Sequence, residues 1–329
     1  MKIAIISKNY HPPWNEGVKN ITREIVEYLR SKMDIVEVIT NRKSGSNIFT
    51  FLNFCIKRIK KLNPDVIFYI SSVSPILGLK TFFLKKMTHT PFVLYVTGNR
   101  KFISGYNILL RADKVLVNCN YLKRFFRSSS IIYPIARSIP RKQMSLNREN
   151  NVLFLGAFEK SRGVDYLIKA ISRIKNIPGL KLIIAWNQHG SDYNKIKKLI
   201  KKNRISHITE VKGNIDINKF YSIAKVIVIP RTSKERMSFP LRVIESFSYN
   251  TPVIASNIVG LPEAVGKAGI LVRPKDEKAL SGAIKAVLTN DKIYNKLLIN
   301  CKVQLNKFDK TRNLEKLYKV LENVSKKVL

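Results

Sequence analysis

Short, wholly apolar runs alternate along this chain with stretches of helical periodicity, and that alternation leaves few folds open. KIAIIS (2–7) is followed by VKNITREIVEYLR (18–30), in which Ile21, Ile25, Val26 and Leu29 fall at helical spacing. IVEVIT (35–40), DVIFYI (65–70), FVLYVT (92–97) and KVLVNC (114–119) read as further strands, with helical segments between them. Such alternation predicts a parallel sheet with helices on both faces. Residues 134–150, PIARSIPRKQMSLNREN, are polar, hold two prolines and lack periodicity, so they read as a linker. The pattern then restarts. NVLFLG (151–156), a helix from Val164, LKLIIAW (180–186), a helix near 191–203, KVIVIP (225–230), a helix carrying Glu245 and PVIAS (252–256) follow in turn. Residues 276–327 read as helical throughout. The expectation is an α/β chain with two doubly wound domains in series, and 329 residues suffice for two cores. No internal repeat is evident. Ligands of such sheets sit beyond the carboxyl ends of the strands, so a cleft between the domains is the expected site.

The chain has no run of 18 or more apolar residues, so no transmembrane helix is expected. MKIAIISKNYHPPW lacks the long apolar core and small-residue cleavage site of a signal peptide and reads as a first strand. Cys55, Cys119 and Cys301 are odd in number and widely spaced, which suggests free thiols in a reducing cytoplasm and shows no zinc pattern. Sixty Lys and Arg against 22 Asp and Glu leave a net charge of +38, too few acids for ion-pair networks to absorb. Residues 51–150 carry 18 basic and 3 acidic side chains, the denser share. Such a surface attracts anions: lipid headgroups, nucleic acid or phosphorylated substrates. A solvated, lysine-rich surface is the plainer reading.

Three stretches carry chemistry. HPPWNEG joins the first strand to the first helix, with Gly17 near the helix start, where backbone N–H groups can approach an anion. No G-x-G-x-x-G fingerprint occurs, which argues against a dinucleotide enzyme. In LGAFEKSRGVDYLIKA (155–170) a strand ends at Gly156, and Lys160 and Arg162 precede Gly163 and a helix. Cations at a strand end can clamp a diphosphate and offset the charge of a leaving group; an ordinary charged loop would look the same. In KERMSFPLRVIESFSYNTPVIASNIVGLPEAV (234–265), Glu245 lies one or two turns into a helix. A carboxylate there can accept a hydrogen bond from each hydroxyl of a ribose diol, or serve as a capped or ion-paired structural acid.

Together these stretches resemble a family-4 retaining glycosyltransferase of the GT-B fold. FLGAFEKSRGVDYLIKA resembles that family's diphosphate-contacting strand–loop–helix. SFPLRVIESFSYNTPVIAS with GLPEAV resembles its donor-binding helix and following strand, and PPWNEGVKNITREIVEYL its first glycine-containing loop and helix. FDKTRNLEKLYKVLENV resembles the terminal helix that crosses back to the first domain. The resemblance implies an acceptor-side domain at 1–147, a nucleotide-sugar-binding domain at 148–308, both Rossmann-like and facing across a cleft, and a terminal helix at 309–329. It implies that Glu245, as the later glutamate of an E-x7-E motif, holds ribose and that Arg162 meets the diphosphate. Gly17, Gly156 and the helix start Ser238, Phe239, Pro240 and Leu241 complete the donor side.

Departures from the pattern bear on the chemistry. Met237 stands eight residues before Glu245, where the earlier glutamate belongs, and Glu235 is the nearby substitute, so the sugar's identity stays open. Ala157 stands where the family has the arginine of its GRL sequence; Lys160, Arg231 or Arg236 could replace that cation. The histidine often found after the fourth strand is absent, and VTGNRK offers Gly98, Asn99 and Arg100 on the acceptor side. The catalytic candidates are Arg162, Lys160 and Glu235. No Asp-x-Asp occurs, and the resemblance implies transfer from a nucleoside-diphosphate sugar without a metal or other cofactor. FCIKRIKKL (54–62), LKTFFLKKM (79–87) and YLKRFFR (121–127) mix bulky apolar and basic residues, as helices on an anionic bilayer do. The expected acceptor is a lipid-linked glycan or glycolipid, with the protein cytoplasmic and peripheral at the membrane's inner face. Two alternatives stay open: a soluble or nucleic-acid acceptor, and a non-catalytic GT-B protein holding nucleic acid or a partner chain.

Overall fold

The computed structural model describes the chain except for residues 8–9, 13–16, 41–46, 75, 100–109, 127, 135–147, 187–191, 214–216, 234–238 and 327–329, and the side chains of residues 17, 99 and 217. The chain divides into two compact units. The first comprises Met1–Ser138, Glu235–Leu241 and Phe308–Leu329; the second comprises Ile139–Lys234 and Arg242–Lys307.

The first unit runs β1 (Lys2–Ser7), α1 (Gly17–Arg30), β2 (Ile35–Ile39), α2 (Ile48–Leu62), β3 (Val66–Val73), α3 (Leu77–Thr88) and β4 (Phe92–Asn99). It continues with β5 (Lys114–Val117), α4 (Asn120–Lys123) and β6 (Ser130–Ile131). The six strands are all parallel, in the order β2-β1-β3-β4-β5-β6. Ile3, Ala4, Ile5 and Ile6 are all fully buried, so β1 is covered on both faces, as its unbroken apolar run requires. Ile21, Ile25, Val26 and Leu29 of α1 pack into one core with Ile3, Ile5, Val66, Phe68, Val93 and Tyr95.

The second unit runs β7 (Asn151–Leu155), α5 (Val164–Ser172), β8 (Lys181–Trp186), α6 (Tyr193–Lys202), β9 (Thr209–Gly213), α7 (Ile217–Ile223) and β10 (Val226–Ile229). Then come α8 (Leu241–Ser248), β11 (Val253–Ser256), α9 (Leu261–Val265), β12 (Gly269–Val272), α10 (Glu277–Thr289) and α11 (Asp291–Asn306). Its sheet is also parallel, ordered β12-β11-β10-β7-β8-β9.

The last helix, α12 (Lys310–Ser325), belongs to the first unit. Leu314, Leu317, Leu321 and Val324 recur at helical spacing and enter the core that holds α1. Asp309 caps the helix by accepting from Arg312 N at 2.8 Å, and Asn313 Oδ1 accepts from Tyr133 N at 3.1 Å. Lys310 pairs with the buried Glu24 of α1.

The strands expected from apolar runs are all present. Three others were not expected: β6 has two residues, β9 is a polar edge strand (TEVKG), and β12 is the short GILV. The stretch expected to be helical throughout is three helices, each with its own cap. Asp276 accepts from Ala279 N, Asn290 from Ile293 N and Asp309 from Arg312 N. Among the described residues no helix is long and apolar enough to cross a membrane. The three cysteines are buried and not joined in a disulfide, and burial pushes the Cys55 and Cys301 thiols up to about 12. Most of the expected linker lies outside the described residues. Its end does not: Arg148 donates to Ala224 O, Thr251 Oγ1 and Tyr249 O, so it is a brace of the second unit.

Leu317 is fully buried. Leu317→Ala is expected to destabilise the first unit by about 2–5 kcal/mol, seen as an earlier urea transition for probes in α1 while probes in the second unit are unmoved.

Candidate functional site

In the second sheet β7 and β10 are neighbours, yet β7 leads through α5 to β8 on one side and β10 through α8 to β11 on the other. This reversal opens a crevice at the carboxyl ends of the two strands, the usual ligand position in such sheets. A small cavity lies there, between the ends of β7 and β10, and three guanidinium groups line it: Arg162, Arg231 and Arg242.

Each arginine is placed by local structure. Arg162 ends a 3-10 turn, Lys160–Arg162, that closes on Gly163. Gly163 has φ +71°, and a Cβ there would lie 1.8 Å from Pro230 O, so only glycine fits. The turn is also tied to the end of β10: Thr232 N donates to Ser161 O at 3.1 Å, and Thr232 Oγ1 donates to Lys160 O at 2.9 Å. Arg231 therefore sits on the same stitched seam as Arg162, and only 7% of it is exposed. Arg242 comes from the first turn of α8. A Cβ at Gly156 would approach its Nη1 to 3.1 Å, so the glycine after β7 leaves room for that group.

The electrostatics of the cavity are one-sided. Burial lowers the Arg162 pKa, Arg242 lowers it further, and Glu159, 4.0 Å from Nε, opposes the shift. Burial, with Arg162 and Arg242 adding, pushes Arg231 down to about 10. Glu159 offsets both arginines, but its carboxylate is 53% exposed. Arg162 Nε is buried and has no hydrogen-bond partner among the described residues. Arg162 and Arg231, both desolvated, share the cavity lining with Arg242; such a group of cations is relieved by an anion, and guanidiniums match phosphate oxygens in geometry.

Glu245 lies three residues after Arg242 on α8. Its Oε2 accepts from the Tyr221 hydroxyl at 2.7 Å, and its Oε1 takes no hydrogen bond from the described residues. Tyr221 is 1% exposed and stacks on Tyr249, with centroids 5.3 Å apart and planes at 10°. Burial raises the Tyr221 pKa well above 10, and the Glu245 charge raises it further, so the phenol stays protonated and donates.

The structure brings Gly156, Arg162, Arg231 and Glu245 to one end of one sheet. Lys160 is exposed and does not line the cavity; its carbonyl holds Thr232. Phe239 is buried in the first unit, with its ring 6.0 Å from Tyr133 and 5.4 Å from Phe308, and there it is an anchor. Leu241 packs against the first unit's core, beside the half-buried Pro240. Gly17 opens α1 of the first unit, and Asn99 ends β4. Arg100, Glu235, Arg236, Met237 and Ser238 lie outside the described residues. Sequence reasoning missed Arg242 and Tyr221. The i, i+3 spacing of Arg242 and Glu245 was the available signal for the first; a tyrosine in KFYSIAK carried none for the second.

Residues 136–304, more than half of the chain, match the family model described as glycosyl transferases group 1, and the chain belongs to that family. An uncharacterized glycosyltransferase of Methanocaldococcus jannaschii is 31% identical over 53% of this chain and 48% of its own length. A glycogen synthase of Mycobacterium tuberculosis is 30% identical over 42% of this chain and 33% of its own. The matches thus span about half or less of these curated relatives. Among solved structures, a glycosyltransferase from Rickettsia africae superposes with a TM-score of 0.81, at 19% identity and 99% coverage of both chains. Anabaena HepE in complex with UDP gives 0.79, at 16% identity, over 98% of this chain and all of that one. At these identities the likeness is one of fold, and the fold is GT-B.

Gly163→Ala is expected to lower stability by about 1–3 kcal/mol, because a left-handed backbone and a blocked carbonyl must both give way. A fall in the thermal midpoint, absent from the control Gly282→Ala, a position within α10 with open space around its Cβ and no left-handed backbone, checks it.

Proposed function

We propose that the protein is a family-4 retaining glycosyltransferase that moves a sugar from a nucleoside-diphosphate sugar to a hydroxyl acceptor. The observation behind this reading is the convergence of three guanidiniums at the ends of β7 and β10, with a tyrosine-held carboxylate three residues along α8. The arginines hold the diphosphate, and Glu245 holds the ribose. The bond from the sugar's anomeric carbon to the phosphate oxygen breaks, and a bond to the acceptor oxygen forms on the same face. The departing diphosphate keeps the bonding electron pair and takes the proton of the incoming hydroxyl. Arg162, Arg231 and Arg242 offset its growing charge. No side chain is needed as a covalent nucleophile. The family resemblance implies that no metal takes part, and transfer is expected to persist in excess chelator.

The donor base and sugar are not specified by this geometry. Relatives carry names as different as O-antigen chain mannosyltransferase B and D-inositol 3-phosphate glycosyltransferase. The proposed acceptor is a lipid-linked glycan or glycolipid reached from an anionic membrane surface, with the protein cytoplasmic and peripheral. Supporting it, α2 and α3 of the first unit expose the apolar Phe49 and Met87 and also Lys57, Lys60, Lys61 and Lys86. Phe51, Leu52, Ile59, Leu77 and Leu84 of these helices pack inward, and Lys80 is buried over the Phe51 ring, so the exposed face is narrower than the sequence suggested. A soluble or nucleic-acid acceptor would show instead as binding without lipid and a steep salt dependence.

Calorimetric titration with UDP, GDP and ADP tests the donor site. One of the three is expected to bind at micromolar level, about tenfold or more weaker to Glu245→Ala and to Arg231→Gln, a loss of roughly 1.4 kcal/mol or more each. Binding by none would overturn the reading. The nucleotide that binds is also expected to raise the thermal midpoint, by about 2.7 kcal/mol of linkage at a hundred times its dissociation constant.

A further inference from the structure

We infer that Tyr221 is a positioning residue for Glu245, and that it gives the site its preference for an intact ribose diol. The inference rests on the donor reading above and adds to it a residue outside the family motif.

The geometry is specific. The Tyr221 hydroxyl donates to Glu245 Oε2 at 2.7 Å. This occupies one lone pair and leaves the other, with both on Oε1, for a ligand's hydroxyls. A half-buried carboxylate without such a donor can turn about its terminal bond and meet a diol in many poses. With one oxygen pinned, the plane of the carboxylate is set before the ligand arrives.

The pin itself cannot turn. Tyr221 is almost wholly buried and stacks on Tyr249. The Tyr249 hydroxyl donates to Asn218 Oδ1 at 2.7 Å. Behind both rings, Arg148 Nη2 donates to Tyr249 O, while Nη1 reaches Ala224 O and Thr251 Oγ1 at 2.7 and 2.6 Å. Thr251 Oγ1 lies 3.3 Å from the carbonyls of both Tyr221 and Tyr249. The backbone carbonyls of both tyrosines are therefore held from the side away from the hydroxyls. This network spends a half-buried arginine on fixing two rings, and of the two ring hydroxyls it is Tyr221's that touches Glu245.

A purely structural role would make Tyr221 a tie between α7 and α8 and nothing more. The two roles separate in the ligand, not in stability. A tie, when lost, weakens every nucleotide alike. A positioning residue, when lost, weakens the ribonucleotide and spares the one that lacks the hydroxyl.

The test uses Tyr221→Phe, which keeps the ring and the stack, and Tyr249→Phe, which removes a hydroxyl in the same network that does not touch Glu245. UDP, GDP and ADP are each titrated beside their 2′-deoxy and 3′-deoxy forms into the wild-type and both variant chains. The wild type is expected to bind one ribonucleotide roughly tenfold or more tightly than a deoxy form. Tyr221→Phe is expected to bind that ribonucleotide about three- to tenfold more weakly while its affinity for the deoxy form is unchanged. Tyr249→Phe is expected to keep the wild-type ratio. A wild-type ratio retained by Tyr221→Phe overturns the inference alone. Equal weakening of both forms assigns Tyr221 to structure and overturns it too. A wild type that binds a nucleotide without discriminating the deoxy forms overturns the role given to Glu245, and this inference with it. Binding of none overturns the donor reading itself.

Discussion

Two parallel strands, β7 and β10, lie side by side while their connections leave in opposite directions, and the chemistry of the second unit hangs from their carboxyl ends. The crevice this creates would be a poor place for three arginines in an ordinary core. Desolvation opposes the charge of Arg162 and Arg231, and repulsion from the neighbouring arginines adds to it. What holds them is hydrogen bonding and steric fit: a turn tied by Thr232, a glycine pressed on Pro230 O, and the first turn of α8. The folding of the scaffold forces the cations together, and the resulting field is available to a ligand without further rearrangement.

The contrast with the rest of the chain's charge is instructive. The chain carries 60 basic residues, and most of its lysines stand in water, where a charge is screened and nearly equivalent to its neighbours. α6 holds five lysines, all exposed. The three cavity arginines are a small part of the net charge of +38, and two of them, Arg162 and Arg231, are held where burial opposes their charge. Bulk charge tells which class of partner a surface tolerates. The convergence of a few desolvated cations is what singles out a candidate anion site.

The strands of each unit, and their being parallel and covered on both faces, follow from features that single runs of sequence reveal. KIAIIS and NVLFL need cover on both faces, and all their residues but Lys2 are buried. TEVKG was not legible as a strand because an edge needs apolar residues on neither face, and its register comes from β8 alone. The site was legible where a residue type has one conformational reason to be there. Gly163 sits before a helix at positive φ, and Glu245 is an acid in an apolar helix. It was not legible where the reason is tertiary. Tyr221 meets Glu245 across 24 residues, and Arg242 meets Arg162 across more, so no local pattern records either. Phe239 shows the converse. Its place in a recognisable motif suggested ligand contact, but its ring is consumed by Tyr133 and Phe308.

The stitched turn also separates what laboratory evolution can change from what it cannot. The backbone of 160–163 is fixed to Pro230 and Thr232 by contacts that ignore the side chains of Glu159 and Lys160. Those two side chains face solvent at the rim of the cation cluster. A library confined to them would retune the charge around the arginines on an unmoved scaffold, whereas one that included Gly163 would spend most of its members on chains that cannot close the turn.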